Sequence, residues 1–92
     1  MTTDFNVRSK YVPPMFFGDG SGIAPGDAVE ATLDDVRVRI AITAVDGESL
    51  TGTVSELQDD TSKPTSYADL SVGSEVTLRE EHVRACWKSA AA

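Results

Sequence analysis

From Val36 to Val45 the chain alternates with period two. Val36, Val38, Ile40, Ile42 and Ala44 fall on one side, and Arg37, Arg39, Ala41, Thr43 and Val45 on the other. Side chains of a β-strand point to opposite faces in turn, so this is a strand with one dry face. Asp46-Gly47 follows as a turn signal, and Leu50, Gly52 and Val54 alternate with Thr51, Thr53 and Ser55 on the return. The two strands are therefore expected to pair. Directly opposed residues share a face, which makes register a question of parity. A two-residue Asp46-Gly47 loop sets Thr43 against Leu50 and Ile42 against Thr51, mixing the faces. A three-residue loop, Val45-Asp46-Gly47, sets Ile42 against Leu50, Ile40 against Gly52 and Val38 against Val54. The sequence thus predicts the longer loop, a type I turn closed by Gly47 at positive φ.

Around this hairpin the other elements are short. Pro25-Gly26-Asp27 is a turn that launches a strand over Ala28–Leu33, interrupted by Asp34-Asp35. Residues 56–71 are polar and read as a long loop anchored by Tyr67 and Leu70. Val76 and Leu78 point inward from a strand over Glu75–Arg79. A single 3-10 turn follows, and in the last short strand Val83, Ala85 and Trp87 alternate with Arg84, Cys86 and Lys88. Before Pro25 no periodicity holds, and prolines and glycines punctuate the stretch. Its exception is Tyr11-Val12-Pro13-Pro14-Met15-Phe16-Phe17, which packs three of the six aromatic residues into seven positions. Water disfavours exposing such surface, so the segment is expected to lie across one end of the domain as a lid or edge strand, or to dock on another chain.

Ninety-two residues suffice for one small domain only. The expected organisation is a flexible N-terminal arm over 1–25, a small β-barrel domain over 26–88 and a disordered tail over 89–92. Fifteen acids against eight bases give a net charge of -7, and thirteen of those acids with six of the bases follow Gly26. A body so charged repels phosphate backbones and anionic membranes, so nucleic acid and membrane are disfavoured partners. The lone Cys86 cannot close an internal disulfide. With no basic-then-apolar leader and no stretch of about 18 apolar residues, this points to a soluble, cytoplasmic protein.

Catalytic residue types are scarce: one His, one Cys and one Asn. His82 and Cys86, four residues apart, would meet on a helix, but on a strand they stand ~13 Å apart at ~3.3 Å per residue. Zinc lacks its four ligands. Gly18-Asp19-Gly20-Ser21-Gly22 has no Lys-Ser/Thr ending and reads as linker rather than a phosphate loop, and the Asp34-Asp35 and Asp59-Asp60 pairs read as solvated turns. No enzyme activity, metal or cofactor is expected. Arg37 and Arg39 share the polar face of the best strand. They could form a basic patch with Arg79 or Arg84, though salt bridges to Glu48, Glu56 or Glu75 are the expected use. Trp87 is expected as a core plug whose indole N–H finds a carbonyl, with a rim position at an interface as the second reading. The candidate partner-binding residues are Tyr11, Phe16, Phe17, Arg37, Arg39 and Trp87.

Pro25-Gly26-Asp27-Ala28-Val29-Glu30-Ala31, the hairpin from Val36 to Val54, and Val72-Gly73-Ser74-Glu75-Val76-Thr77-Leu78 with its closing strand resemble small Src-homology-3-like barrels, over about 60 residues. The spacing is most similar to small bacterial domains of unknown function. The resemblance implies a mainly β fold, a partly open five-stranded antiparallel barrel. It transfers no ligand class, because Val36-Arg37-Val38-Arg39 stands where the peptide-binding and Tudor-like members carry aromatic residues. The expected function is a non-catalytic protein-interaction or assembly module, with a protein partner or self-association, including a homodimer. An oligonucleotide-binding barrel and a small-ligand-binding regulatory domain are the alternatives.

Overall fold

The computed structural model describes residues 5–7, 12–18 and 22–89. Its strands are β1 (Met15–Phe17), β2 (Ala28–Leu33), β3 (Val36–Asp46), β4 (Ser49–Gln58), β5 (Ser66–Tyr67), β6 (Leu70–Ser71), β7 (Glu75–Arg79) and β8 (Ala85–Trp87). A 3-10 turn, Glu80–His82, joins the last two. The principal sheet has the order β1-β8-β2-β3-β4-β7, while β5 and β6 form a separate ribbon. Where five strands were expected the sheet has six, and it ends in two edges, β1 and β7, that do not pair with each other. Part of the polar stretch over 56–71 is strand rather than loop: β4 runs on to Gln58, and β5 and β6 place Tyr67 opposite Leu70.

The β3–β4 register corrects the sequence expectation. Asp46 pairs with Ser49 around a two-residue Gly47-Glu48 loop, Ile42 lies opposite Gly52, and Ile40 opposite Val54. Gly47 does take positive φ, at 61°, with Glu48 outside that region, the pattern of a type II′ turn. Parity is rescued by two irregularities that a regular ladder lacks, one between Ile42 and Ala44 and one between Arg39 and Ile40. The first inserts Thr43 as an extra residue on β3, the second Ser55 on β4, and each is a β-bulge. Both extra residues carry a hydroxyl, which donates across the ladder: Thr43 Oγ1 to Thr51 O at 3.2 Å, and Ser55 Oγ to Arg39 O at 3.2 Å. The bulges let Val38, Ile40, Ile42, Val54 and Leu57 all face the core.

That core gathers Val29 and Ala31 of β2, the β3 and β4 residues, Val76 and Leu78 of β7, and Val83, Cys86 and Leu70 into one buried cluster. Inner faces of strands three and four places apart in the sheet meet there, so the sheet curves around it. Gly52 sits where β4 leaves no room for a side chain against β3. A Cβ there would lie 2.4 Å from Ala41 O and 2.6 Å from Ile40 Cγ2. Residues of the expected arm take places in the body. Phe5 is buried in the core beside the His82 ring, the Asn6 N–H donates to Thr32 O at 2.8 Å, and β1 joins the sheet edge parallel to β8.

Candidate functional site

Strand β8 decides which face the interesting side chains take. Alternation from Val83 places Trp87 in the core, and the structure turns it outward. Val83 lies before the bend at Arg84, so its parity does not carry into β8. Cys86 is fully buried, and Trp87 stands on the outer face, half-buried. Phe17, directly across on β1, stacks on the indole with ring centroids 5.6 Å apart and planes at 15°. Arg39 reaches back from β3, two strands away on the other side, and holds its guanidinium 4.2 Å from the centre of the indole. Ala28, the β2 residue paired with Trp87, is small enough to leave that path open. Arg39 pairs with Glu30 and so reaches Trp87 diagonally; dispersion and the ring quadrupole favour both contacts, and the stack of Phe17, Trp87 and Arg39 clamps β1 to the sheet.

Three of the expected partner-binding residues, Phe17, Arg39 and Trp87, thus come together. Phe16 turns the other way and packs against the core, and Arg37 is exposed on β3 opposite Thr32 and Gln58. Tyr11 lies outside the described residues. The salt bridges expected of Arg37 and Arg39 do not form: Glu48 pairs with Arg79 at 2.8 Å and Glu56 with Lys63 at 3.2 Å. Arg39 engages the indole instead, and its Nε is buried without a hydrogen-bond partner. The indole N–H of Trp87 donates to no carbonyl among the described residues.

Beside this stack lies a groove that single-residue inspection of the sequence did not reveal. In the next cross-strand row Met15 of β1 faces Ala85 of β8, which faces Glu30 of β2. Ala85 is the short member between two long ones, and with Val12, Pro13 and Arg84 they enclose about 220 Å³. Val12 and Met15 are 55% and 60% exposed, and Phe17 is 43% exposed at the end of the same strand. Neither the Glu30 carboxylate nor the Arg84 guanidinium makes a hydrogen bond or ion pair among the described residues. The available signal was the two-residue spacing of Met15 and Phe17, which places both on one face of a strand.

Behind the sheet edge a second constellation ties β8 and the segment before β2 together. Asp27 is 3% exposed and accepts from the Lys88 ammonium, from the Ser89 N–H at 2.7 Å and from the Ala24 N–H at 2.9 Å. Lys88 also reaches Gly22 O, while its backbone N–H donates to Phe17 O at 2.8 Å. Burial pushes the Asp27 carboxyl up, but the Lys88 hydrogen bond, the two backbone N–H groups and the Lys88 charge outweigh it and hold the carboxyl below its usual value. These bonds tie β8 to the segment before β2, so the arrangement serves structure. Cys86 Sγ lies 3.9 Å from Asp27 Oδ2, and burial together with that carboxylate pushes the thiol up, away from the thiolate a nucleophile needs. His82 uses Nδ1 to accept the Arg79 N–H at 3.0 Å. Among the described residues no group of three His, Cys, Asp or Glu side chains is placed to hold a metal ion, and no helix is long and apolar enough to cross a membrane.

Comparison with protein-family models, curated proteins and solved structures finds no match to this chain.

Proposed function

We propose that this protein is a non-catalytic protein-interaction or assembly module that docks its partner on the outer face of β1 and β8. One observation carries the reading. Of the five large apolar residues that stand exposed among the described residues, Val12, Met15 and Phe17 fall within one six-residue stretch at a sheet edge. Apolar surface concentrated in this way, rimmed by Glu30 and Arg84, is what a protein interface needs. In the same proposal the run β8-β2-β3-β4-β7 is a Src-homology-3-like small barrel to which β1 adds a sixth strand. The return of β8 to β2 and the shared core support it.

Two observations weigh against the other readings. An oligonucleotide needs an open aromatic face to stack on, and Trp87 is flanked by Phe17 on one side and Arg39 on the other, on a chain of net charge -7. The groove, at about 220 Å³, is smaller than the roughly 300–1,000 Å³ typical of small-molecule pockets. The test compares immobilised wild type with a Val12→Glu/Met15→Glu variant of equal melting temperature. A cellular protein retained by the wild type and lost by the variant supports the reading. Equal retention, or none, refutes it.

A further inference from the structure

We infer that the groove above Ala85 receives a single lysine or arginine side chain from an extended partner segment that pairs with the free edge of β1. The inference rests on the interaction-module reading and names the partner's chemistry. Met15 N–H donates to Arg84 O and Phe17 O accepts from the Lys88 N–H, so residues 15 and 17 direct their backbone groups toward β8. In a parallel ladder the intervening Phe16 then directs its N–H and C=O away from β8, to the open side of the sheet. A segment added there continues the sheet, with its outer-face side chains beside Met15 and Phe17.

From that segment to β2 is three strand spacings, or ~14 Å at ~4.8 Å each. An extended lysine or arginine and an extended glutamate span this together across the dent left by Ala85, whereas short side chains fall short. The aliphatic stem lies along Met15, Val12 and Pro13, and the cation meets the Glu30 carboxylate, which makes no hydrogen bond or ion pair among the described residues. The net charge of -7 favours the approach of a cation over an anion. Arg84 at the opposite rim and Arg39, which lies across from Glu30 on β3 with its guanidinium over Trp87, oppose a second cation, so one base among apolar and β-branched residues fits better than a polybasic run.

The test uses three capped octapeptides of alternating Val and Thr with one central residue: Lys, the uncharged norleucine, or Glu. Each is titrated into the full chain while backbone amide shifts are followed by NMR. The lysine peptide is expected to bind at least fivefold more tightly than either control, to shift Met15, Phe16 and Ala85, and to lose its advantage over norleucine in Glu30→Gln. Equal binding of the three peptides, shifts confined to another face, or an advantage that survives Glu30→Gln overturns the inference. No peptide binding, alongside a partner still captured through Val12 and Met15, overturns the basic side chain and leaves the interaction module standing.

Discussion

Replacing Gly52 by alanine isolates the packing of the central hairpin, because the added atom is one methyl and the backbone there needs no positive φ. The new Cβ would sit 2.4 Å from Ala41 O, 2.6 Å from Ile40 Cγ2 and 3.0 Å from Ala41 C. Ordinary contact distances are near 3.5–4.0 Å, so β3 and β4 must separate by about 1 Å or the ladder must break locally. The obstacle is mostly backbone, in the middle of the longest strand pair, where no flexible side chain can swing aside. The cost belongs in the upper part of the ~1–3 kcal/mol overpacking range, about 2–3 kcal/mol. At about 4–8 °C per kcal/mol for a domain of this size, the melting temperature should fall by about 10–20 °C. Circular dichroism melts, with urea unfolding to confirm an unchanged m-value, measure it. A Gly52→Ala protein melting within about 2 °C of wild type would refute the close approach and the bulged register that produces it.

Three further outcomes follow from local geometry. Ala68 opens the β5–β6 turn at φ 53°, a region costing a residue with a Cβ roughly 1–2 kcal/mol, so Ala68→Gly should raise the urea midpoint despite the added freedom of the unfolded chain. Thr43→Val and Ser55→Ala each remove a hydroxyl bonded across a bulge and should cost about 0.5–1.5 kcal/mol apiece in the same assay. Lys88→Met leaves Asp27 buried without its cation and should cost about 3–5 kcal/mol at neutral pH. In the wild type the Asp27 carboxyl titrates below its usual value. Its contribution is complete above the unfolded-state value of about 4 and is lost as pH falls through the lower folded value; without Lys88, burial moves the folded value up, so the stability gap between variant and wild type should narrow as pH falls below about 4. A stability gap that stays the same from neutral pH to well below the carboxylate range would contradict that assignment.

The alternation from Val36 to Ala44 named the inner face of β3 correctly as far as Ile42, because a half-buried strand writes its burial directly into residue type. Register was not readable in the same way. Parity assumes that every residue on one strand has a partner, and Thr43 and Ser55 do not. Their hydroxyls make the bulges favourable, yet threonine and serine on a wet strand face look ordinary. Trp87 takes the outer face for a related reason, since Val83 and β8 lie on either side of a bend and share no common phase. Of the site, Phe17, Arg39 and Trp87 could be chosen from residue type alone. Glu30, Arg84 and Ala85 could not, because a groove is made by a short side chain between long ones on neighbouring strands, a property of β1-β8-β2 pairing. Asp27 was hidden as well: an aspartate after Pro-Gly reads as turn chemistry until Lys88, 61 residues away, closes on it.

As an edge strand bound parallel to β8, β1 has one backbone side closed and the other open. Amide hydrogen exchange measures this residue by residue. Exchange should be slow at Met15 and Lys88, whose N–H groups are bonded across the β1–β8 pair, and fast at Phe16, slowing there when the lysine peptide is added. Exchange at Met15 and Lys88 as fast as in an unfolded chain, or a Phe16 amide already protected in the free protein, would contradict it.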